Sequence, residues 1–210
     1  MKTALVTGGA NGIGKELVKL LEKEYTTYVW DVAVKKEKEL VKKVDLTNSK
    51  EIKKVSKEIK KLDLLVLNAG IMRRGDLYVD EEIYDQVMNI NLKGQWLTFK
   101  HLGDKITKDT TIVVMSSRHG IIPPVTPAIY GLSKAGISYL ADLIRVTKKC
   151  EVKKVFAGPT DTAVSKADLT EEEYKKRVLE KPEVLAKRIY ELIRTDKKEL
   201  VYSEKGYYYN

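Results

Sequence analysis

In the run AIYGLSKAG, Tyr130 stands four residues before Lys134 among residues that are otherwise small or apolar. On an α-helix, positions i and i+4 share a face, so the Tyr130 phenol and the Lys134 ammonium become neighbours. A cation beside a phenol favours the phenolate and lowers a pKa that starts near ~10. The outcome would be an acid/base group that works near neutral pH. The same spacing also suits an aromatic on a buried helix face followed by a solvated lysine one turn on. This stretch alone leaves both readings open.

A second stretch, TGGANGIG from Thr7 to Gly14, offers different chemistry. Gly8, Gly12 and Gly14 are spaced G-x-x-x-G-x-G, which departs from the general dinucleotide pattern G-x-G-x-x-G. The physics is shared: glycines permit a tight turn and close approach to a pyrophosphate, and a helix opening there presents free N–H groups and a favourable dipole. Asp31 closes the next apolar run, 19 residues after Gly12. A carboxylate at that place accepts hydrogen bonds from ribose hydroxyls and repels a 2′-phosphate. NAD is therefore the expected cofactor and NADP the alternative, while an ordinary turn-forming aspartate is the plainer account of Asp31.

These groups need a frame, and the apolar pattern supplies one. TALVTG, TTYVWD, DLLVLNAG, TTIVVMSS and KKVFAG read as buried strands, with ELVYSE as a last one. Between them lie amphipathic stretches that read as helices: IGKELVKLLEKE, KEKELVKK, SKEIKKVSKEIKKL, a long one from about Glu81 to Leu102, one carrying Tyr130 and Lys134, and one from about Pro182. VDL reads as a brief strand. Near-continuous apolar strands alternating with helices imply an α/β fold, a doubly wound parallel sheet of Rossmann type with helices on both faces. In such a sheet, ligands lie at the carboxyl ends of the strands, which is where each stretch singled out above falls.

Bulk properties narrow the rest. A chain of 210 residues suits a single domain spanning 1–210. The net charge is +9, but only seven of the 39 basic residues are Arg, and the Lys residues are interleaved with Glu as on solvated helix faces. No specific nucleic-acid partner is expected. No apolar run approaches the roughly 18 residues that span a bilayer, so no membrane partner is expected either. Cys150 stands alone, which excludes a disulfide framework and a cysteine-based metal site. The default is a soluble, cytoplasmic protein without a metal.

Taken together, the motifs resemble the short-chain dehydrogenase/reductase family over nearly the whole chain. TGGANGIG is similar to that family's glycine turn, and NAG at Asn68, Ala69 and Gly70 to the motif that steadies the central sheet. Ser117 precedes Tyr130 by 13 residues, the family's usual separation, and Tyr130 with Lys134 completes its Y-x-x-x-K pair. The resemblance implies catalytic roles for Asn91, Ser117, Tyr130 and Lys134. Tyr130 would be the acid in reduction and the base in oxidation. Ser117 would hold the carbonyl oxygen, Lys134 the nicotinamide ribose, and Asn91 a water linking Lys134 to solvent. It further implies cofactor contacts at Gly8, Asn11, Gly12, Ile13, Gly14, Asp31, Asp45, Leu46, Asn68, Ala69, Gly70, Tyr130, Lys134, Gly158 and Thr162, with Asp45 at the adenine amino group and Thr162 near the nicotinamide amide. Ser116 reads as a small core residue.

The chain also departs from the family pattern. Ala157 stands where Pro is usual and Lys153 where Asn is usual, and the region from 163 to about 180 is a short polar substrate loop. Its tail lacks the family's Gly-Gly segment, and Tyr207 to Tyr209 read as an interface or an exposed end. A homo-oligomer is expected, with a dimer through the helices carrying Asn91 and Tyr130 favoured. The expected partner is a small alcohol or carbonyl compound. Arg73, Arg74, Arg118 and His119 are candidates for contact with an anionic one. A non-catalytic nucleotide-sensing protein on the same fold is the alternative function.

Overall fold

The apolar runs form one eight-stranded sheet in the computed structural model, which describes residues 1–166, 170–203 and 205–210. In chain order the strands are β1 (Lys2–Thr7), β2 (Tyr25–Trp30), β3 (Val41–Lys42), β4 (Leu64–Leu67), β5 (Thr111–Ser117), β6 (Glu151–Ala157), β7 (Glu199–Ser203) and β8 (Gly206–Tyr209). Their spatial order is β3-β2-β1-β4-β5-β6-β7-β8. All neighbours pair in parallel except β7 and β8. The strand order reverses between β1 and β4, so the turn after β1 and the Asn68–Gly70 segment after β4 open onto one crevice.

Alternation along the strands feeds two apolar layers. Ala4 and Val6 of β1 face α1 (Gly12–Leu21) and α8 (Pro182–Ile193), packing on Leu17, Leu21, Leu185 and Ile189. Leu5 of the same strand faces the other way, into the layer formed by α2 (Ser49–Ser56), α4 (Gln95–His101) and α5 (Ala128–Lys148) with Ile52, Leu97, Ile137 and Ile144. Burial on both faces is why β4 reads as an unbroken apolar run: all four of its residues are buried.

The long helix expected from Glu81 is α3 (Glu81–Met88), a π-helical turn over Asn89–Gly94, and then α4. Two short helices, α6 (Ala163–Lys166) and α7 (Glu171–Lys175), fall in the expected substrate loop, of which residues 167–169 lie outside the described ones.

Three local expectations are corrected. KEKELVKK is not helical. Lys38 and Val41 exchange backbone hydrogen bonds, the Glu37 carboxylate accepts from the Lys43 N–H, and the chain turns tightly to lay β3 on β2. With Leu40 and Val41 as its only apolar pair, the segment has no face to bury as a helix. The brief strand is Val41–Lys42, just before VDL. Helix α2 stops at Ser56, whose hydroxyl donates back to the Lys53 carbonyl, although Ile59 and Leu62 beyond it are still buried. The C-terminal tyrosines form β8, which pairs antiparallel with β7, leaving Tyr208 exposed and Tyr207 and Tyr209 half-buried.

Candidate functional site

The β1–α1 turn is shaped by its glycines. Gly8 and Gly12 have φ of +66° and +52°, and a Cβ on Gly14 would lie 2.2 Å from the Gly8 carbonyl oxygen. The Asn11 side chain does not cap α1, and no acidic residue occupies its first turn. The positive end of the helix therefore faces the crevice with donors to spare, which suits an anion. Asp31, just past the end of β2, braces this turn. One carboxylate oxygen accepts from the Ala10 N–H at 2.9 Å and the other from the Ala33 N–H at 2.8 Å.

The segment after β4 is fixed by a polar network that the sequence reading did not single out. The Thr7 hydroxyl accepts from the backbone N–H groups of Asn68 and Ala69 and donates to the Gln95 carboxamide oxygen at 3.2 Å. The Gln95 amide in turn donates to the Ala69 carbonyl at 2.6 Å. The Asn68 side chain donates to the carbonyls of Thr7 and Gly8 at 2.9 and 3.0 Å, tying the two turns together. Both Thr7 and Gln95 are buried. Satisfied buried networks of this kind specify one backbone geometry. The available signal was polar residue types at positions where the apolar periodicity demands core.

On α5, Tyr130 and Lys134 do share a face: the Lys134 Nζ lies 5.5 Å from the centre of the Tyr130 ring. The expectation of a lowered phenol pKa is corrected. Burial pushes the Tyr130 pKa up to about 12, and the Ser117 hydroxyl draws it back only in part. Burial also pulls Lys134 down to about 8. Its Nζ donates to the Met115 carbonyl at 2.8 Å instead of to the phenol. Desolvation penalises the charged form of both groups, and in the protein alone it outweighs their mutual attraction.

Ser117 ends β5 next to them. Its Oγ accepts from the His119 N–H at 3.2 Å and donates to the Ala157 carbonyl at 3.4 Å. The His119 ring meets that of Tyr130 edge-on at 6.1 Å. Ser116 is buried, as expected of a core residue, and its hydroxyl donates to the Lys134 carbonyl. Asn91 lies in the π-helical turn with its carboxamide engaged by protein. It donates to the Ile71 carbonyl and the Ser133 hydroxyl and accepts from the Ile71 N–H. A Cβ on Gly70 would lie 3.1 Å from Asn91 Oδ1 and 3.4 Å from Lys134 Nζ, so a side chain here would crowd both polar atoms.

These groups surround one cleft of about 410 Å³. Gly8, Asn11, Gly12, Ile13, Gly14, Asp31, Asp45, Leu46, Asn68, Ala69, Gly70, Ser117, Tyr130, Lys134, Gly158 and Thr162 all line it, and Asn91 stands behind Gly70. Asp45 is exposed, its carboxylate accepting from the N–H and hydroxyl of Thr47. The Thr162 methyl lies over Gly12, 3.2 Å from where a Cβ would be, which puts Thr162 at the glycine turn. Arg73 also lines the cleft. The segment it belongs to is pinned to the start of α5, where the Ala128 N–H donates to the Gly75 carbonyl. Arg74 reaches the Glu173 carboxylate of α7 at 3.1 Å. The sequence reading also missed the role of Tyr207, whose hydroxyl accepts from the Gly158 N–H at 2.8 Å. No helix among the described residues is long and apolar enough to cross a membrane.

Comparison with known proteins identifies the family and the fold. A family model described as short chain dehydrogenase matches residues 2–173. An uncharacterized oxidoreductase from Thermotoga maritima is 31% identical over 65% of this chain and 61% of its own. An NAD-dependent glycerol dehydrogenase from Listeria innocua is 33% identical over 68% of this chain and 63% of its own. The chain thus spans less than two thirds of the length of these two relatives. The structure of an alcohol dehydrogenase from the archaeon Thermococcus sibiricus, complexed with 5-hydroxy-NADP, superposes with a TM-score of 0.84 at 20% identity, covering 96% of this chain and 95% of that one.

Proposed function

Because this chain belongs to the short-chain dehydrogenase family, we propose that it interconverts an alcohol and a carbonyl compound by hydride transfer with a nicotinamide dinucleotide, Tyr130 serving as the acid/base. The observation that carries the reading is the convergence of Ser117, Tyr130 and Lys134 at one end of a cleft whose other end holds Asp31 and Asp45. When bound, the nicotinamide supplies or accepts the hydride.

The chain's own residues then divide the remaining work. The uncapped first turn of α1 and the glycine turn hold the pyrophosphate, Asp31 and Asp45 the adenosine half, and Lys134 the second ribose. In reduction, Tyr130 Oη gives its proton to the forming alkoxide, and the Ser117 hydroxyl donates to the same oxygen as negative charge builds there. A phenol whose pKa is raised to about 12 is fully protonated at neutral pH and so is poised as the acid. Lys134, held near 8, is close enough to neutral pH to give and regain a proton. The bare Gly70 backbone keeps Asn91 Oδ1 and Lys134 Nζ uncrowded, and a water held beside them returns that proton.

NAD is the proposed cofactor. Near Asp31 the cleft is lined by Val32 and Asp45, and its only Lys or Arg side chains among the described lining residues are Lys134 and Arg73, both toward the Tyr130 end. With the cationic Arg73 at that end, acidic carbonyl compounds are the first substrates to screen. A dimer through α5 is proposed because Leu132, Tyr139, Leu143 and Val146 form an exposed apolar face on that helix. The deciding experiment is a titration with NADH and NADPH followed by a carbonyl screen on wild type and Tyr130→Phe. The variant should keep nucleotide affinity and lose turnover by at least about a hundredfold. Unchanged turnover would refute the acid/base assignment, and a nucleotide-binding protein with no turnover would favour the sensor alternative.

A further inference from the structure

We infer that Tyr207, on the last strand, is a positioning residue that sets the wall of the cleft at its reacting end. The inference rests on the nucleotide-dependent function proposed above. β6 ends at Ala157 in direct register with Ser117, so the loop leaving it starts beside the Ser117–Tyr130 pair. Ala157, Gly158, Thr160 and Thr162 of that loop all line the cleft.

The loop is gripped from behind by the β7–β8 hairpin. Tyr207 accepts the Gly158 N–H at 2.8 Å, and Thr160 Oγ1 donates to the Gly158 carbonyl at 3.1 Å, so both backbone groups of Gly158 are engaged. The ring of Tyr202 occupies the space a side chain at 158 would need: a Cβ there would lie 2.4 Å from its Cγ. Tyr202 and Tyr207 meet edge-on at 5.2 Å, and the Arg188 guanidinium from α8 sits 5.4 Å from the centre of the Tyr207 ring. Burial keeps the Tyr207 phenol protonated far above neutral pH, so the grip does not titrate in the working range.

This arrangement makes the hairpin a template for the half of the cleft that receives the nicotinamide. The Asp31 half is built from β1, β2 and α1, and none of the hydrogen bonds or ring contacts of Tyr202 and Tyr207 just named reaches it. Removing the Tyr207 hydroxyl frees the Gly158 N–H and loosens the loop where it leaves β6 beside Ser117, at the other end of the cleft from Asp31. The effect separates from a general loss of structure because NADH reaches both halves and ADP-ribose lacks the nicotinamide.

The test is a pair of titrations, NADH by fluorescence and ADP-ribose by calorimetry, on wild type, Tyr207→Phe, Gly158→Ala and Tyr208→Phe. Tyr207→Phe should bind NADH about fivefold more weakly, the effect of losing one hydrogen bond, and ADP-ribose within about twofold of wild type. Gly158→Ala should give the same selective loss by pushing the loop off the Tyr202 ring, and it serves if Tyr207→Phe does not fold. Tyr208, exposed on the same strand, should be indifferent to loss of its hydroxyl. Equal weakening of both ligands, or no weakening of either, overturns the inference. A wild-type protein that binds neither ligand overturns the proposed function itself and the inference with it.

Discussion

Replacing Lys134 by Met should stabilise the protein while abolishing turnover. Lys134 is buried, with a single hydrogen bond from Nζ to the Met115 carbonyl. Its pKa falls from an ordinary 10.5 to about 8, which corresponds to about 3 kcal/mol by which burial disfavours the ammonium. The folded-state pKa lies below the unfolded one, so the unfolded chain holds the proton more tightly. The penalty is fully present below about pH 8, and stability rises as pH climbs from about 8 to about 10.5. Methionine keeps most of the side-chain volume and removes the charge. The lost bond to Met115 returns about 1–2 kcal/mol of the gain, leaving the variant about 1–2 kcal/mol more stable at pH 7. For a chain of this size that is a rise in Tm of about 2–8 °C. Calorimetric melts of both proteins at pH 7 and pH 10 test the claim, since the raised Tyr130 pKa is common to both and cancels to first order. The gap should be largest at pH 7 and close toward pH 10. A variant that melts below wild type at pH 7, or a gap that does not change with pH, would show that Lys134 carries no such penalty.

Other perturbations follow from the same geometry. Gly14→Ala drives a methyl against the Gly8 carbonyl and the Asn68 amide, so it should cost about 2–4 kcal/mol and lower Tm by about 4–16 °C, with nucleotide affinity lost. A melt and an NADH titration unchanged from wild type would refute the turn geometry. Gly70→Ala puts a methyl against Asn91 Oδ1 and Lys134 Nζ. On the order of a tenfold fall in kcat with NADH affinity kept is expected, read from steady-state kinetics. Tyr139→Glu puts a charge on the exposed apolar face of α5 and should shift the protein to monomer in light scattering, whereas an unchanged mass argues against a dimer through that face.

Much of this was legible because the relevant rules are local or periodic. The strands of the parallel sheet other than β3 read as apolar runs, and the i, i+4 rule brings Tyr130 and Lys134 together wherever α5 sits. What could not be read is set by tertiary burial. The phenol pKa was expected to fall because a cation stands nearby, yet both groups are taken from water and desolvation reverses the sign for Tyr130. The KEKELVKK stretch has good helix formers but no face to bury, and pairing β3 with β2 decides its path. The roles of Gln95 and Tyr207 escaped notice for a different reason. Each acts through a backbone group some 26 or 49 residues away, at Ala69 and Gly158, a relation no short motif encodes.

The antiparallel β8 has a consequence for behaviour at high concentration. A parallel sheet leaves an unpaired row of donors and acceptors on each outer strand, a template for strand-to-strand aggregation. On one side of this sheet the outermost strand is β3, only two residues long and containing Lys42. On the other, β8 covers β7, whose Leu200 and Val201 are buried, and is itself short. Cutting the chain after Ser203 would bare β7 along its length. The truncated protein should precipitate or form fibrillar, thioflavin-positive assemblies at concentrations where the full chain stays in solution.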